Sequence, residues 1–188
     1  MSGQRCPWCE AFDLYRHYHD HEWGVPKRDS QALFELLLLE GAQAGLSWAT
    51  ILKKRENYRR AFDGFDVQKV AAYDAAKAAA LLADTGIVRN RAKIAAAIGN
   101  ARATLTLPVS LADFLWQFVD GQPITNQWRS MSEVPARTAQ SDKMSKALQQ
   151  AGFKFTGSTI CYALMQSAGL VNDHLTSCPR HAEIAGSG

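Results

Sequence analysis

Leu81-Leu82-Ala83-Asp84-Thr85-Gly86-Ile87-Val88-Arg89-Asn90-Arg91-Ala92-Lys93-Ile94 reads as the end of one helix, a tight turn around Gly86, and the start of a second helix. Alanine and leucine before Asp84 are strong helix formers, and a glycine at the turn permits a backbone with positive φ. Such a hairpin presents amides at the N-terminus of its second helix, which is an anion site. Arg89, Arg91 and Lys93 add positive charge beside it. Together these features would grip a phosphate without reading sequence. An αα-hairpin packed into a core explains the same residues, and the stretch alone leaves both readings open.

Outward from this turn the chain reads as further helices. Ser30 is a candidate N-cap for a segment through Glu40 with Leu33, Phe34, Leu37 and Leu38 on one face, and Ser47 for a segment to Phe62 ended by Gly64. Asp66 and Asp74 begin two more, and Asn90–Leu105, Ser110–Val119, Ser141–Ala151 and Ser158–Ala168 complete the set. Pro108, Pro123 and Pro135 fall between helices. No sustained period-2 run of β-branched residues appears, so the expected fold class is all-α. A weak composition shift suggests one unit over 1–188 with two lobes. About 66–107 would form a central lobe, and about 1–65 with 108–188 a terminal lobe.

The chain has 188 residues, 47% of them hydrophobic, which suffices for a sizeable core and argues against disorder. The longest apolar run, Leu36 to Leu39, lies between Glu35 and Glu40, far below the ~20 residues a membrane span needs. Met1–Glu10 has no signal-peptide core, so a cytoplasmic location is expected, with the four cysteines as thiols or metal ligands. A net charge of +3 does not by itself establish a polyanionic partner. The run Lys53, Lys54, Arg55, Arg59 and Arg60 reads most simply as a solvated helix face.

Two groups of residues carry candidate chemistry. Cys6 and His19 near one end and His174 and Cys178 near the other form a Cys₂His₂ set suited to a closed, tetrahedral, structural zinc. Sharing one ion would clamp the chain's ends together and leave no open position for substrate. Cys9, in Cys6-Pro7-Trp8-Cys9, is a possible competing ligand, and His17, His21 and His181 crowd the same region. The spacing of a redox CxxC is present, but no βαβ context accompanies it. The second group is aromatic: Trp8, Phe12, Tyr15, Tyr18, Trp23 and Trp48. Aromatics usually fill cores, yet they also build stacking walls for a planar base. Glu40 ends an apolar helix face just before the Gly41–Gly45 stretch. It is either a surface or capping group or a buried acceptor, and burial without a partner would be costly.

These strings together resemble the DNA-3-methyladenine glycosylase I family, bacterial alkylation-repair enzymes of the helix–hairpin–helix superfamily. The likeness is carried by Tyr18-His19-Asp20 with Glu22-Trp23-Gly24-Val25-Pro26, by Leu39-Glu40-Gly41 with Gln43-Ala44-Gly45-Leu46-Ser47-Trp48, and by Leu52-Lys53-Lys54-Arg55-Glu56-Asn57-Tyr58-Arg59. It continues through Ile98-Gly99-Asn100-Ala101-Arg102, Gly152-Phe153-Lys154-Phe155, Thr159-Ile160-Cys161-Tyr162 and Gly169-Leu170-Val171-Asn172-Asp173-His174, spanning about Arg5 to Cys178. The resemblance implies an enzyme that flips 3-methyladenine out of alkylated double-stranded DNA and hydrolyses its N-glycosidic bond. An abasic site and the free base are the products. By the same match Glu40 would hydrogen-bond the base and be the catalytic residue, Trp48 would stack on it, and Tyr15, Tyr18 and Trp23 would complete the pocket. Gly45 and Leu46 would press into the DNA, and the turn at Gly86 with Arg89, Arg91 and Lys93 would hold its backbone. One structural zinc would sit on Cys6, His19, His174 and Cys178, His19 being preferred over its neighbours by its place in the matching string. The family is understood to lack the aspartate that many superfamily members use beyond the hairpin, so neither Asp113 nor Asp120 is given that role. With no lysine in a matching nucleophile position, a monofunctional, monomeric enzyme without lyase activity is expected. The rival expectation is a zinc-stabilised helix–hairpin–helix module that binds DNA without chemistry.

Overall fold

A computed structural model describes residues 4–186. The architecture is mostly helical and is organised around α2 (Ser30–Gln43), whose Leu33, Phe34, Leu36, Leu37, Leu38 and Leu39 are all buried. A helix apolar on every side belongs at the centre of a fold. It packs against α3 (Trp48–Ala61), α6 (Arg91–Leu105), α7 (Leu111–Trp116) and α9 (Ser158–Ser167). The cap of α2 is Asp29, whose side chain accepts from the Ala32 amide at 2.8 Å, not the expected Ser30. The helix also runs past Glu40 and through Gly41 to Gln43. The expected Gly41–Gly45 loop is therefore a short turn, with Gly45 in the left-handed region at φ +78°. Gly41 lies inside the helix against Phe155, where an added Cβ would make ordinary contact at 3.5 Å.

Side-chain caps set most of the remaining boundaries. Ser47 starts α3 by accepting from Thr50, and Asp66 starts α4 (Val67–Ala71). Asp74 caps α5 (Ala75–Ala83), Asn90 caps α6 and Ser110 caps α7. α8 (Ala139–Gln150) begins two residues before the expected Ser141, because Thr138 and Ser141 form a reciprocal capping box. α1 (Asp13–His21) and α10 (Pro179–Ala185) were not foreseen as helices. Nor was a two-residue parallel pairing of β1 (Ile124–Thr125) with β2 (Val171–Asn172), which adds a small sheet to the expected all-α fold.

One continuous core includes Leu33, Ile51, Leu115, Leu148 and Met165 together with Val70, Leu81 and Ile94 from the 66–107 region. A smaller cluster of Cys6, Leu175 and Cys178, flanked by Trp8, Trp128 and Val134, joins the two ends of the chain. Gly169 makes one close approach possible: at φ +74°, a Cβ there would lie 2.4 Å from Pro26 N and Val25 C. This seats the Val25–Pro26 segment on the end of α9, where Lys27 N donates to Ala168 O at 2.9 Å. Among the described residues no helix is long and apolar enough to cross a membrane.

Candidate base pocket and metal centre

The four metal-ligand candidates converge. The ligand atoms of Cys6, His19, His174 and Cys178 all lie within 4.8 Å of one another, and all four residues are buried. His19 Nε2 is 3.1 Å from His174 Nδ1 and 3.6 Å from Cys178 Sγ, while His174 Nδ1 is 3.8 Å from both sulfurs. A tetrahedral zinc with bonds of about 2.0–2.3 Å separates its ligands by roughly 3.3–3.8 Å. The donor types and the 3.6–3.8 Å separations suit a bound metal ion, while the 3.1 Å between the imidazoles is tighter than that range. The outer partners fit as well. His19 Nδ1 meets Asp20 Oδ1 at 2.8 Å, His174 Nε2 meets Trp23 O at 3.1 Å, and the Leu175 amide donates to Cys6 Sγ at 3.4 Å. The close approach of the two sulfurs, with the imidazoles beside them, lowers the proton affinity of Cys178 and raises that of Cys6.

The competing ligands fall away on geometry. Cys9 Sγ donates to Cys6 O at 3.1 Å and lies outside the cluster. His17 and His21 pair their rings at 4.5 Å on the exposed side of α1. His181 Nε2 meets Asn126 O at 2.7 Å.

Beside this cluster lies a cavity of about 190 Å³ whose lining includes Trp8, Tyr15, Tyr18, Trp23, Glu40 and Trp48. α1 supplies Tyr15 and Tyr18, α2 supplies Glu40, and Trp48 opens α3. Trp8 braces the wall by edge contacts to Tyr15 at 4.9 Å, Trp23 at 5.0 Å and His19 at 5.3 Å, so pocket and ligand cluster share one aromatic partition. Tyr18 and Trp48 face each other at 5.6 Å. Behind Tyr18, Arg55 lies 5.9 Å from the ring and binds Glu22 with contacts of 2.5 and 2.8 Å, tying α3 to the end of α1.

The polar atoms of this cavity are unusual. Among the described residues, Tyr18 Oη and Trp48 Nε1 are buried without a hydrogen-bond partner. Glu40 is 3% exposed, and burial pushes its carboxyl up to about 8, partly opposed by the Ser167 hydroxyl. Burial also keeps Tyr18 a neutral phenol. A cavity lined by two unpartnered donors and a neutral carboxylic acid is arranged for a polar, planar ligand. The volume exceeds the ~150 Å³ of cavities known to admit benzene.

Sequence reasoning placed Tyr15, Tyr18, Trp23, Glu40 and Trp48 among the site candidates, and all five line this cavity. Trp8, named there among the candidate aromatics but given no role, lines it too, as do Gln43 from a quoted string and Met131, Val134, Gln166 and Asp173, which were not singled out. Asp173 lay in a quoted string, Gly169–His174, but nothing in that string marks its carboxylate as a pocket group. Met131 and Val134 sit in an irregular stretch with no periodic signal.

The turn between α5 and α6 differs from expectation. Gly86 does not adopt positive φ. Its glycine is needed for space, since a Cβ would lie 3.0 Å from Asp84 Oδ1 and 3.1 Å from Asn57 Cβ. Several amides are already used: Gly86 N donates to Asp84 Oδ1, Val88 N to Tyr58 Oη and Lys93 N to Asn90 Oδ1. Lys93 Nζ donates to Ala42 O at 2.9 Å and Ala44 O at 2.5 Å, closing the C-terminus of α2. Arg89 and Arg91 remain exposed, as do Gly45 and Leu46 at the α2–α3 turn. Much of the α3 basic run is paired, Arg55 with Glu22 and Arg59 with Glu35.

Comparison with known proteins agrees with this arrangement. The sequence profile of the methyladenine glycosylase family matches residues 8–181. The chain is 53% identical to DNA-3-methyladenine glycosylase 1 of Escherichia coli K12, over 93% of this chain and 95% of that protein. It is 49% identical to DNA-3-methyladenine glycosylase of Haemophilus influenzae, over 93% and 96%. A crystal structure of 3-methyladenine DNA glycosylase I superposes with a TM-score of 0.92 at 54% identity, covering 94% of this chain and 98% of the other. The Staphylococcus aureus enzyme, solved to explain its recognition of 3-methyladenine, gives a TM-score of 0.91 at 38% identity, covering 95% and 97%. Matched over nearly its whole length in sequence and superposing closely in structure, this chain belongs to the methyladenine glycosylase family.

Proposed function

We propose that this protein excises 3-methyladenine from alkylated double-stranded DNA, the first step of base-excision repair, by hydrolysing the N-glycosidic bond of a flipped nucleotide. The observation that carries this is Glu40, buried and neutral at the wall of an aromatic cavity beside two unused donors. Methylation at a ring nitrogen makes the base a cation and a good leaving group before any protein acts. A cation in the cavity favours ionised Glu40, and the π faces of Tyr18 and Trp48 add their attraction. A neutral adenine offers no such compensation and leaves Glu40 protonated. Selection therefore rests on charge more than on shape. The pocket holds the base as a water reaches the oxocarbenium-like sugar. Asp113 and Asp120 are exposed and take no part.

In this reading Leu46, on the turn opened by Gly45, presses into the space the base leaves. The turn at Gly86 faces the phosphate backbone with Arg89 and Arg91, and Lys93 supports it from within. The ion on Cys6, His19, His174 and Cys178 is zinc, and its contribution is structural: four protein ligands leave it no open position. The enzyme works as a monomer in the cytoplasm, where free thiols persist.

Incubation with alkylated DNA, followed by identification of the released bases, tests this. Release of 3-methyladenine that Glu40→Gln lowers by about 100-fold or more is expected. Equal release by that variant and the parent overturns the role of Glu40, and DNA binding without any base release would favour a binding module. Metal analysis should find the ion lost from Cys6→Ser and retained in Cys9→Ser.

A further inference from the structure

Asp173 lines the same cavity as Glu40, is 1% exposed, and is engaged on both oxygens. Oδ1 accepts from Asn126 Nδ2 at 2.7 Å and Trp128 Nε1 at 2.9 Å. Oδ2 accepts from Tyr162 Oη at 2.5 Å and Gln166 Nε2 at 2.9 Å. Four donors consume the acceptor capacity of the carboxylate, so it has no lone pair left for a substrate proton. What it does instead follows from where the donors sit. Tyr162 and Gln166 belong to α9, whereas Asn126 and Trp128 begin the irregular stretch that leads to Met131 and Val134. The pairing of Thr125 with Asn172 brings Asn126 and Asp173 into adjacent register, and Trp128 O accepts from the Thr176 amide at 2.8 Å. Beyond these anchors the chain reaches Met131 and Val134, which form an apolar part of the cavity wall, with Met131 40% exposed.

We propose that Asp173 is a positioning residue for base binding: its four-donor carboxylate fixes the 126–134 segment to α9 and so sets the Met131/Val134 wall of the pocket. The inference rests on the cavity being the base site. Asp173 acts through that segment and exchanges no proton. A wall held by a rigid, fully satisfied anchor is preorganised, so substrate binding does not have to order it. Displacing it by about 1 Å is enough to cost on the order of 10- to 100-fold in rate.

The test is a double-mutant cycle on Asp173→Asn and Met131→Ala, read as single-turnover excision rate and as the dissociation constant of free 3-methyladenine, with bound metal and melting temperature measured in parallel. Asp173→Asn replaces an acceptor by a donor facing donors. It is expected to weaken base binding and slow excision by ~10-fold or more while the metal stays bound. Met131→Ala alone is expected to weaken base binding about threefold to tenfold and to add almost nothing in the Asp173→Asn background, because the wall is already misplaced. Full additivity of the two losses, or a normal dissociation constant in Asp173→Asn, overturns the proposal. Should Asp173→Asn not fold or lose its metal, Trp128→Phe removes one donor and keeps the ring. A smaller loss along the same axis supports the proposal, and parental binding overturns it. If instead Trp48→Ala and Met131→Ala both leave 3-methyladenine binding intact, the failure lies with the pocket assignment and not with Asp173.

Discussion

The two polar centres of this molecule share one aromatic partition and are built on opposite terms. Around Cys6, His19, His174 and Cys178 the ligand atoms converge and their outer partners are in place. Across the partition, Tyr18 Oη and Trp48 Nε1 are buried and unused, and Glu40 is held neutral by its surroundings. Buried polar groups in native proteins are normally satisfied. The satisfied centre therefore reads as structure, and the unsatisfied one as a place kept for something else. Burial alone does not tell these two centres apart; the state of their hydrogen-bond partners does.

The largest expected effect breaks the satisfied side. Cys178→Ser, or prolonged chelation, should remove the proposed ion and destabilise the junction of the two chain ends by several kcal/mol, since metal binding is coupled to folding. Calorimetry with and without chelator checks this; a chelator-independent melting temperature would refute a structural ion. On the unsatisfied side, Glu40→Gln should lower excision by about 100-fold or more and leave the fold intact.

The same variant carries a pH signature. Glu40's folded value, about 8, lies above its ordinary value of 4.5. The protonated form is therefore favoured by folding: the contribution is full below pH 4.5 and is lost as pH rises through 8. The parent should thus lose a few kcal/mol across that window relative to Glu40→Gln, and the melting temperatures of the two should diverge from pH 5 to pH 8.5. Parallel curves would contradict the burial argument.

Smaller still is the effect of Tyr18→Phe. Deleting an unpartnered hydroxyl should change stability by less than about 1 kcal/mol yet weaken 3-methyladenine binding, whereas Tyr162→Phe, which strips a donor from Asp173, should destabilise more. Equal melting temperatures for the two variants would erase the contrast. The smallest effect belongs to the surface: replacing Arg89 or Arg91 by Gln should leave stability unchanged and reduce the salt dependence of DNA binding by about one counterion each. An unaltered slope would remove them from the interface.

Local signals in the sequence carried the helices well. Ser47, Asp66, Asp74, Asn90 and Ser110 cap where their side-chain chemistry suggests. Asp29 displaced Ser30 because either residue suits a cap and only the chain's approach to α2 decides between them. Gly41 does not end its helix; the stop falls at Gly45, whose positive φ of +78° follows the Ala44 cap. α1 escaped notice for lack of a side-chain cap and because its buried face is the aromatic and histidine set that suggested chemistry instead. The pocket's first wall was legible because Tyr15, Tyr18, Trp23, Glu40 and Trp48 lie in compact strings. Its second wall was not, since Met131, Val134 and Asp173 meet through a two-residue strand pairing that no local pattern announces.

Lys93 has one further consequence. Its ammonium reaches from the first turn of α6 to the carbonyls of Ala42 and Ala44 at the end of α2, the latter two residues before Leu46. The outer surface at Arg89 and the tip at Leu46 are thereby held at a constant spacing by an internal crosslink. If Arg89 meets the phosphate backbone and Leu46 the gap left by the base, as proposed, such a spacing would work as a ruler: a backbone seated at one end would fix which nucleotide arrives opposite the other. The distance from contact to excised base would then be a property of the fold, whichever sequence lay beneath it.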